Sequence, residues 1–256
     1  MADIEARDLA DAHTAVTPLK GRKAIVTGGT TGIGRAIAVL LASEGVEIFT
    51  CGRDERHLAD ALDRIGEVGS GDGIACDLAE PDGLARFFDA AAARLGRYDI
   101  AVINAAVPAE GVTDMDEAAM RYALAADFVA PLISAHRAAH HLGDRGDIIL
   151  TGSYSVHKLG PGSTVYAGCK AGIHGFAEAL RREVAGQGIK VGLVVPALTG
   201  ADFQYPDIPA EEQREKIRAE EMLRAEDIAA AVHFMLTQPR RAVVQEMVVV
   251  QRATDA

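Results

Sequence analysis

From Lys23 onward, short apolar runs rich in β-branched residues alternate with longer stretches whose apolar positions recur every three or four residues. This is the pattern of βαβ units, in which strands are buried on both faces and each helix lays one stripe on the sheet. The short runs predict strands at residues 23–27, 47–51, 73–76, 99–103, 147–151, 190–195 and 243–250. The periodic stretches predict helices at about 33–44, 55–65, 81–95, 116–142, 164–186 and 225–236, several opened by proline or acidic residues. Right-handed crossovers then put helices on both faces of a seven-stranded parallel sheet, a single α/β domain of the Rossmann-type doubly wound class. Residues 198–224 are polar and strongly charged near their end, as expected of a helical excursion or lid between two strands.

Composition narrows the class without changing it. The 256 residues contain no recognisable linker, so residues 20–256 are read as one domain and residues 1–19 as an N-terminal arm outside the core, frayed or contacting a neighbouring subunit. A formal net charge of −11 argues against nucleic acid or an anionic membrane as partner. Three cysteines, Cys51, Cys76 and Cys169, have no C-x-x-C spacing, so neither a disulfide framework nor a zinc ribbon is suggested. The first residues lack the basic start and apolar core of a signal peptide, and no uninterrupted apolar run is long enough to cross a bilayer. A soluble, cytoplasmic protein is the expectation.

Candidate chemistry starts directly after the first strand. Thr27-Gly28-Gly29-Thr30-Thr31-Gly32-Ile33-Gly34 joins that strand to the first helix. Glycines there permit a tight turn and let the backbone approach a pyrophosphate at the positive end of the helix. The alternative is a glycine-rich turn with no ligand. The spacing T-G-x-x-x-G-x-G resembles the short-chain dehydrogenase/reductase family, and further residues extend the likeness. Asp77 follows the third strand as the family's adenine-contacting aspartate does, and Asn104-Ala105-Ala106 corresponds to its N-A-G segment with alanine in place of the glycine. The resemblance covers about residues 20 to 250 and implies that Gly28, Thr30, Thr31, Gly32, Ile33, Gly34, Arg53, Asp77, Leu78, Asn104, Ala105, Ala106, Tyr166, Lys170, Pro196 and Thr199 hold a nicotinamide cofactor.

At the end of the second strand an acidic side chain would accept the ribose hydroxyls of NAD and repel the extra phosphate of NADP. The chain reads Cys51-Gly52-Arg53, so by comparison with the family Gly52 replaces that acid and Arg53 can fork onto a phosphate. NADP is favoured, with NAD possible. A surface arginine pairing with Asp54 or Glu55 is the plainer reading of Arg53, and the second basic residue often seen in the loops of NADP users is replaced by Thr31.

Tyr166 and Lys170 stand at i and i+4, one helical turn apart on one face. A free phenol, with a pKa near ~10, exchanges protons poorly at neutral pH. An adjacent ammonium is expected to favour the phenolate and bring it toward the working range. Ser153 ends the fifth strand thirteen residues before Tyr166, matching the family's serine, tyrosine and lysine in type and spacing. The resemblance implies hydride transfer between NADP(H) and a small ketone or secondary alcohol, with Tyr166 as acid/base, Ser153 orienting the oxygen, and Lys170 both tuning Tyr166 and binding the nicotinamide ribose.

Three departures from the family's pattern are visible. Its fourth catalytic residue, an asparagine holding a water behind the lysine, is Asp127 here, whose charge is expected to raise the pKa of Lys170. Pro196-Ala197 replaces Pro-Gly beside the nicotinamide, and Thr199 is the candidate for a threonine further on. The segment from His157 to Tyr166 and the ending Thr237-Gln238-Pro239-Arg240 resemble a branch of NADP-dependent 3-hydroxy acid and serine dehydrogenases. His157 and Lys158 could meet a substrate carboxylate or simply face water. Tyr154 and Tyr205 could line the pocket or serve packing. His136, His140 and His141 lack acidic partners in metal-motif spacing, so no metal site is expected. A homo-oligomer, dimer or tetramer, is implied by the family, through the helices at 116–142 and 164–186. The rival from another class is a nucleotide-binding sensor or scaffold that has lost turnover. A sugar-nucleotide epimerase would normally need a larger C-terminal part than the roughly sixty residues that follow the sixth strand.

Overall fold

The computed structural model describes residues 16–200 and 208–253. Among them the strands are β1 (Lys23–Thr27), β2 (Glu47–Gly52), β3 (Ser70–Ala75), β4 (Ile100–Ile103), β5 (Asp147–Thr151), β6 (Lys190–Pro196), β7 (Thr199–Gly200), β8 (Leu223–Arg224) and β9 (Glu246–Val249). Seven of them pair in parallel in the order β3-β2-β1-β4-β5-β6-β9, and β7 and β8 form a separate two-stranded pair. The helices are α1 (Gly32–Ser43), α2 (Glu55–Val68), α3 (Pro81–Leu95), α4 (Glu117–Leu124), α5 (Ala130–His141), α6 (Thr164–Glu183), α7 (Ala210–Arg218) and α8 (Ala225–Thr237).

Successive strand residues point to opposite faces, and the cores divide accordingly. Ile25 and Phe49 join Phe87 of α3, Ala135 of α5 and Ile173 of α6 on one face. Val26 and Ile48 join Ile37 of α1, Ile65 of α2 and Val232 of α8 on the other. Every residue of β4, β5 and β6 is buried, which is why these strands read as near-continuous apolar runs. The strand order reverses between β1 and β4, so a crevice opens there at the carboxyl ends of the strands.

At the opposite end of the sheet, Asp147 is 1% exposed and accepts from Arg22 Nη2 at 2.6 Å and from Arg240 Nη1 at 2.9 and 3.0 Å, with Lys190 Nζ 3.5 Å away. Three cations thus converge on the first residue of β5 and tie the entry of β1, the start of β6 and the segment after α8 together.

Several expectations need correction. β3 starts three residues earlier than its apolar run, because Gly71 and Gly73 let α2 press on the strand; a Cβ on Gly71 would stand 2.8 Å from Ile65 Cγ2. The last strand is shorter than expected, Glu246–Val249. The helix expected at 116–142 is α4 and α5 joined by a π turn, Ala125–Val129, and α6 ends in a 3-10 turn, Ala185–Gln187. That joined helix, 117–141, is by length and mean hydropathy apolar enough to cross a bilayer, although Arg121 and Asp127 interrupt its apolar run, and it packs on the sheet beside α6. Of the expected N-terminal arm, residues 1–15 lie outside the described residues. Residues 17–19 do not stand apart from the core, since Thr17 N donates to Thr237 O at 2.7 Å and Leu19 is buried beside Ile37 and Val46. The 198–224 excursion contains β7, α7 and β8, and Tyr205 lies outside the described residues.

Candidate active site

The turn after β1 depends on its glycines. Gly28 and Gly32 have φ of 66° and 51°, a region that disfavours other residues. A Cβ on Gly28 would stand 2.8 Å from Ala105 Cα, and one on Gly34 would collide with the Gly28 carbonyl and come 2.5 Å from Asn104 Nδ2. The loop therefore lies directly against the turn after β4. Thr27 Oγ1 accepts from the backbone N–H groups of Asn104 and Ala105 at 2.9 and 3.1 Å, and Asn104 Oδ1 accepts from Thr151 Oγ1 at 3.3 Å, so the ends of β1, β4 and β5 form one hydrogen-bonded unit. Thr31 sits at the N-cap of α1 without capping it through its side chain.

Above this unit lies a cavity of about 1450 Å³. Its wall brings together Gly28, Thr30, Thr31, Gly32, Ile33, Arg53, Asp77, Leu78, Asn104, Ala105, Ala106, Pro196 and Thr199 with Ser153, Tyr166 and Lys170. Gly34 packs beneath the loop, and Asp127 is fully buried behind the wall. Tyr154, His157 and Lys158 lie along the same cavity, as do Lys216 and Glu221 from the excursion. Thr199 is buried and donates to the Ala197 carbonyl at 2.9 Å.

Ser153 lies two residues beyond the end of β5 and caps a 3-10 turn, Tyr154–Val156, its Oγ accepting from Ser155 N at 3.2 Å. Lys170 is 2% exposed, donates from Nζ to the Thr151 carbonyl at 3.0 Å and lies 5.6 Å from the centre of the Tyr166 ring. The electrostatics differ from expectation on two points. Burial, then the charge of Asp127, push the Tyr166 phenol up to about 12, against the lowering effect of its hydrogen bond with Ser153. The ammonium spends its hydrogen bond on Thr151 and does not bring the phenol toward neutrality. Asp127 does act to raise Lys170, but burial outweighs it and Lys170 sits below the usual lysine value.

Asp127 lies in the π turn, where one extra residue per turn aims it inward. Its Oδ1 accepts from Val107 N at 2.7 Å, while Oδ2 is buried without a hydrogen-bond partner among the described residues. Burial raises its pKa to about 6, although the Val107 bond and Lys170 both oppose the rise.

At the far end of the cavity, a Cβ on Gly52 would run into the side chain of Thr30, which is 6% exposed. No acidic side chain fits at that position beside Thr30. Among the described residues Arg53 pairs with neither Asp54 nor Glu55, the plainer sequence reading; Asp54 caps α2 by accepting from Arg56 N and His57 N. Arg53 Nη1 instead donates to Tyr122 Oη at 2.7 Å, and Tyr122 donates in turn to Asp77 Oδ2 at 2.6 Å.

Sequence reasoning missed Tyr122, which lies 69 residues from Arg53 and 45 from Asp77 with no spacing to betray it. It also missed His174, one turn beyond Lys170, whose Nδ1 lies 3.6 Å from Glu246 Oε2 and whose ring meets that of His157 edge-on. His141 serves packing, stacking on Tyr98 at 4.1 Å, whereas His136 and His140 are exposed, with His140 Nδ1 2.8 Å from the His136 carbonyl.

Comparison with known proteins was made against this geometry. The short chain dehydrogenase family pattern matches residues 22–212. The chain is 29% identical over 210 residues to an NADPH-dependent aldehyde reductase of Arabidopsis thaliana, covering 78% of this chain and 72% of the relative. It is 28% identical over 241 residues to an oxidoreductase of Methylorubrum extorquens, covering 91% and 97% of the two chains. Among solved structures, a short chain dehydrogenase from Burkholderia cenocepacia in complex with NADP superposes with a TM-score of 0.82 at 28% identity, over 91% of this chain and 98% of the other. A short-chain dehydrogenase/reductase from Serratia marcescens gives 0.81 at 25% identity over the same shares.

Proposed function

This chain belongs to the short-chain dehydrogenase/reductase family, and from that premise we propose that it moves a hydride between NADP(H) and a small ketone or secondary alcohol, with Tyr166 as proton donor and acceptor. The observation that carries the reading is the meeting of Ser153, Tyr166 and Lys170 on the wall of a cavity roofed by the glycine loop. The residues present fit a dinucleotide. Side chains at Gly28 or Gly34 would force the loop off the turn after β4, one at Gly52 would run into Thr30, and the N-terminus of α1 faces the cavity. When bound, the cofactor supplies or accepts the hydride.

The chain's own groups then manage the oxygen. Ser153 Oγ orients the substrate oxygen, and Tyr166 delivers its phenolic proton to it as the carbonyl becomes an alcohol. A phenol held near 12 is protonated throughout the physiological range, so the proton that carbonyl reduction needs is in place. Lys170, anchored by the Thr151 carbonyl, supplies positive charge beneath the ring as the phenolate forms. Asp127 lies behind it as the group through which a proton is resupplied.

Exclusion of an acid at Gly52 and the presence of Arg53 support NADP over NAD. An NADP complex and an NADPH-dependent aldehyde reductase among the relatives point the same way. His157 and Lys158 on the cavity wall support a substrate bearing a carboxylate, such as a hydroxy acid. Three buried, free cysteines support a reducing, cytoplasmic setting, and exposed Leu124, Val129 and Ile133 support a homo-oligomer joined through α4, α5 and α6.

The direct test mixes purified protein with NADPH or NADH and a panel of aldehydes, ketones and keto acids, followed at the nicotinamide absorbance band. Turnover with NADPH is expected, and Tyr166→Phe should lose at least about 100-fold in kcat. Nucleotide binding without turnover over the whole panel would favour a sensor or scaffold instead.

A further inference from the structure

Arg53 and Asp77 follow β2 and β3, and both line the cavity. Tyr122 reaches them from α4 and places one oxygen between them, accepting from Arg53 at 2.7 Å and donating to Asp77 at 2.6 Å. Asp77 completes its shell with Ala79 N, 2.9 Å from Oδ1. We propose that Tyr122 is a positioning residue for the phosphate-bearing ribose of the nucleotide, holding Arg53 where a 2′-phosphate meets it and thereby setting the preference for NADP(H) over NAD(H). The inference rests on the NADP reading above.

Three features support it. Arg53 is an exposed, rotamer-rich side chain on a turn, and an arginine that must first be ordered loses part of its binding energy to entropy. Its neighbour Asp54 does not hold it, being engaged at the α2 N-cap, and among the described residues the hydrogen bond to Tyr122 is the one Arg53 makes. The tether is also neutral. Burial first, and the bond to Asp77 next, keep the phenol above its ordinary pKa, so it remains O–H and anchors the guanidinium without neutralising it. A carboxylate tether would compete with the phosphate for the same charge. Here the carboxylate of Asp77 is kept one group further away, behind the phenol. Arg53 commits one of its five N–H donors and keeps the rest for a bidentate phosphate contact. A nucleotide without the phosphate offers Arg53 no charged partner, so loss of the tether should fall mainly on NADP(H).

Tyr122→Phe preserves the ring and removes the bridge. Fluorescence titration of NADPH and NADH into wild type, Tyr122→Phe, Arg53→Ala and the double variant tests the idea. Tyr122→Phe is expected to weaken NADPH binding about tenfold, the worth of one hydrogen bond, and NADH binding by less than about twofold. In turnover the loss falls on KM for NADPH rather than on kcat, and in the Arg53→Ala background the second change adds nothing. Equal losses for both nucleotides, unchanged or tighter NADPH binding in Tyr122→Phe, or additive effects in the double variant would each overturn the role of Tyr122 while leaving the NADP reading in place. Wild-type protein that binds NADH as tightly as NADPH would remove that reading itself, and the first titration decides it.

Discussion

At the scale of single residues, Asp127 bears the clearest electrostatic penalty. Its pKa of about 6 lies above the usual 3.8 because burial disfavours the charged form more than Val107 and Lys170 favour it. Between those values the folded chain keeps a proton that the unfolded chain has lost, so stability falls as pH rises through this window. Above it the penalty is complete, on the order of 3 kcal/mol. Asp127→Asn keeps an acceptor for Val107 N and removes the buried charge. Thermal denaturation should therefore show the variant more stable than wild type at pH 7, with the two converging near pH 4; an offset independent of pH would refute this account. In turnover the variant should stay active and lose an inflection near pH 6 that the wild-type reductive profile carries, and an unchanged profile would remove Asp127 from proton resupply. Tyr166, held near 12, sets the other limb. Carbonyl reduction should be flat from neutral to mildly alkaline pH, while alcohol oxidation, which needs the phenolate, should climb throughout the alkaline range.

At the scale of elements, the Asp147 clamp bears on stability rather than on chemistry. It lies at the start of β5, about 13 Å of strand from Thr151. Asp147→Ala would leave the Arg22 and Arg240 charges without their buried counterion and should cost about 3–5 kcal/mol, read as a lower denaturant midpoint with kcat preserved. Elements with a single strong period were legible in the sequence: β1, β4, β5 and β6 as apolar runs, α1 and α3 from their stripes, and the Tyr166–Lys170 pair because both lie on one helix. What escaped reading depends on contacts between distant segments or on a slip of one residue. The π turn at Ala125–Val129 adds a single residue to an otherwise helical period, too small a phase change to see in a stretch of alanines. β3 hides its start in glycines whose purpose is the close approach of α2. Arg53 was legible as a cation at the end of β2, but its partner was not, because Tyr122 is brought to it only by the packing of α4.

At the scale of the whole molecule, the same π turn bears on assembly. Leu124 and Val129 are five residues apart and Ile133 four further, so the widened turn aligns all three on one face, at 41%, 49% and 42% exposure. In the homo-oligomer proposed above, a second copy of the chain would cover this stripe. Val129→Glu with Ile133→Glu should shift the protein toward monomer in light scattering after gel filtration, and an unchanged mass would exclude this face as a contact. A different long-range connection is made by one carbonyl. The Gln238 oxygen accepts from Thr17 Oγ1 at 2.9 Å and from Lys190 Nζ at 3.1 Å, joining points 221 and 48 residues away along the chain. In ribosomal synthesis Thr17 is made 221 residues before Gln238. Until Gln238 has been made, the lead-in to the first strand lacks this fastening, so a nascent chain stalled before Gln238 is expected to be clipped near Thr17 by protease more readily than the finished fold.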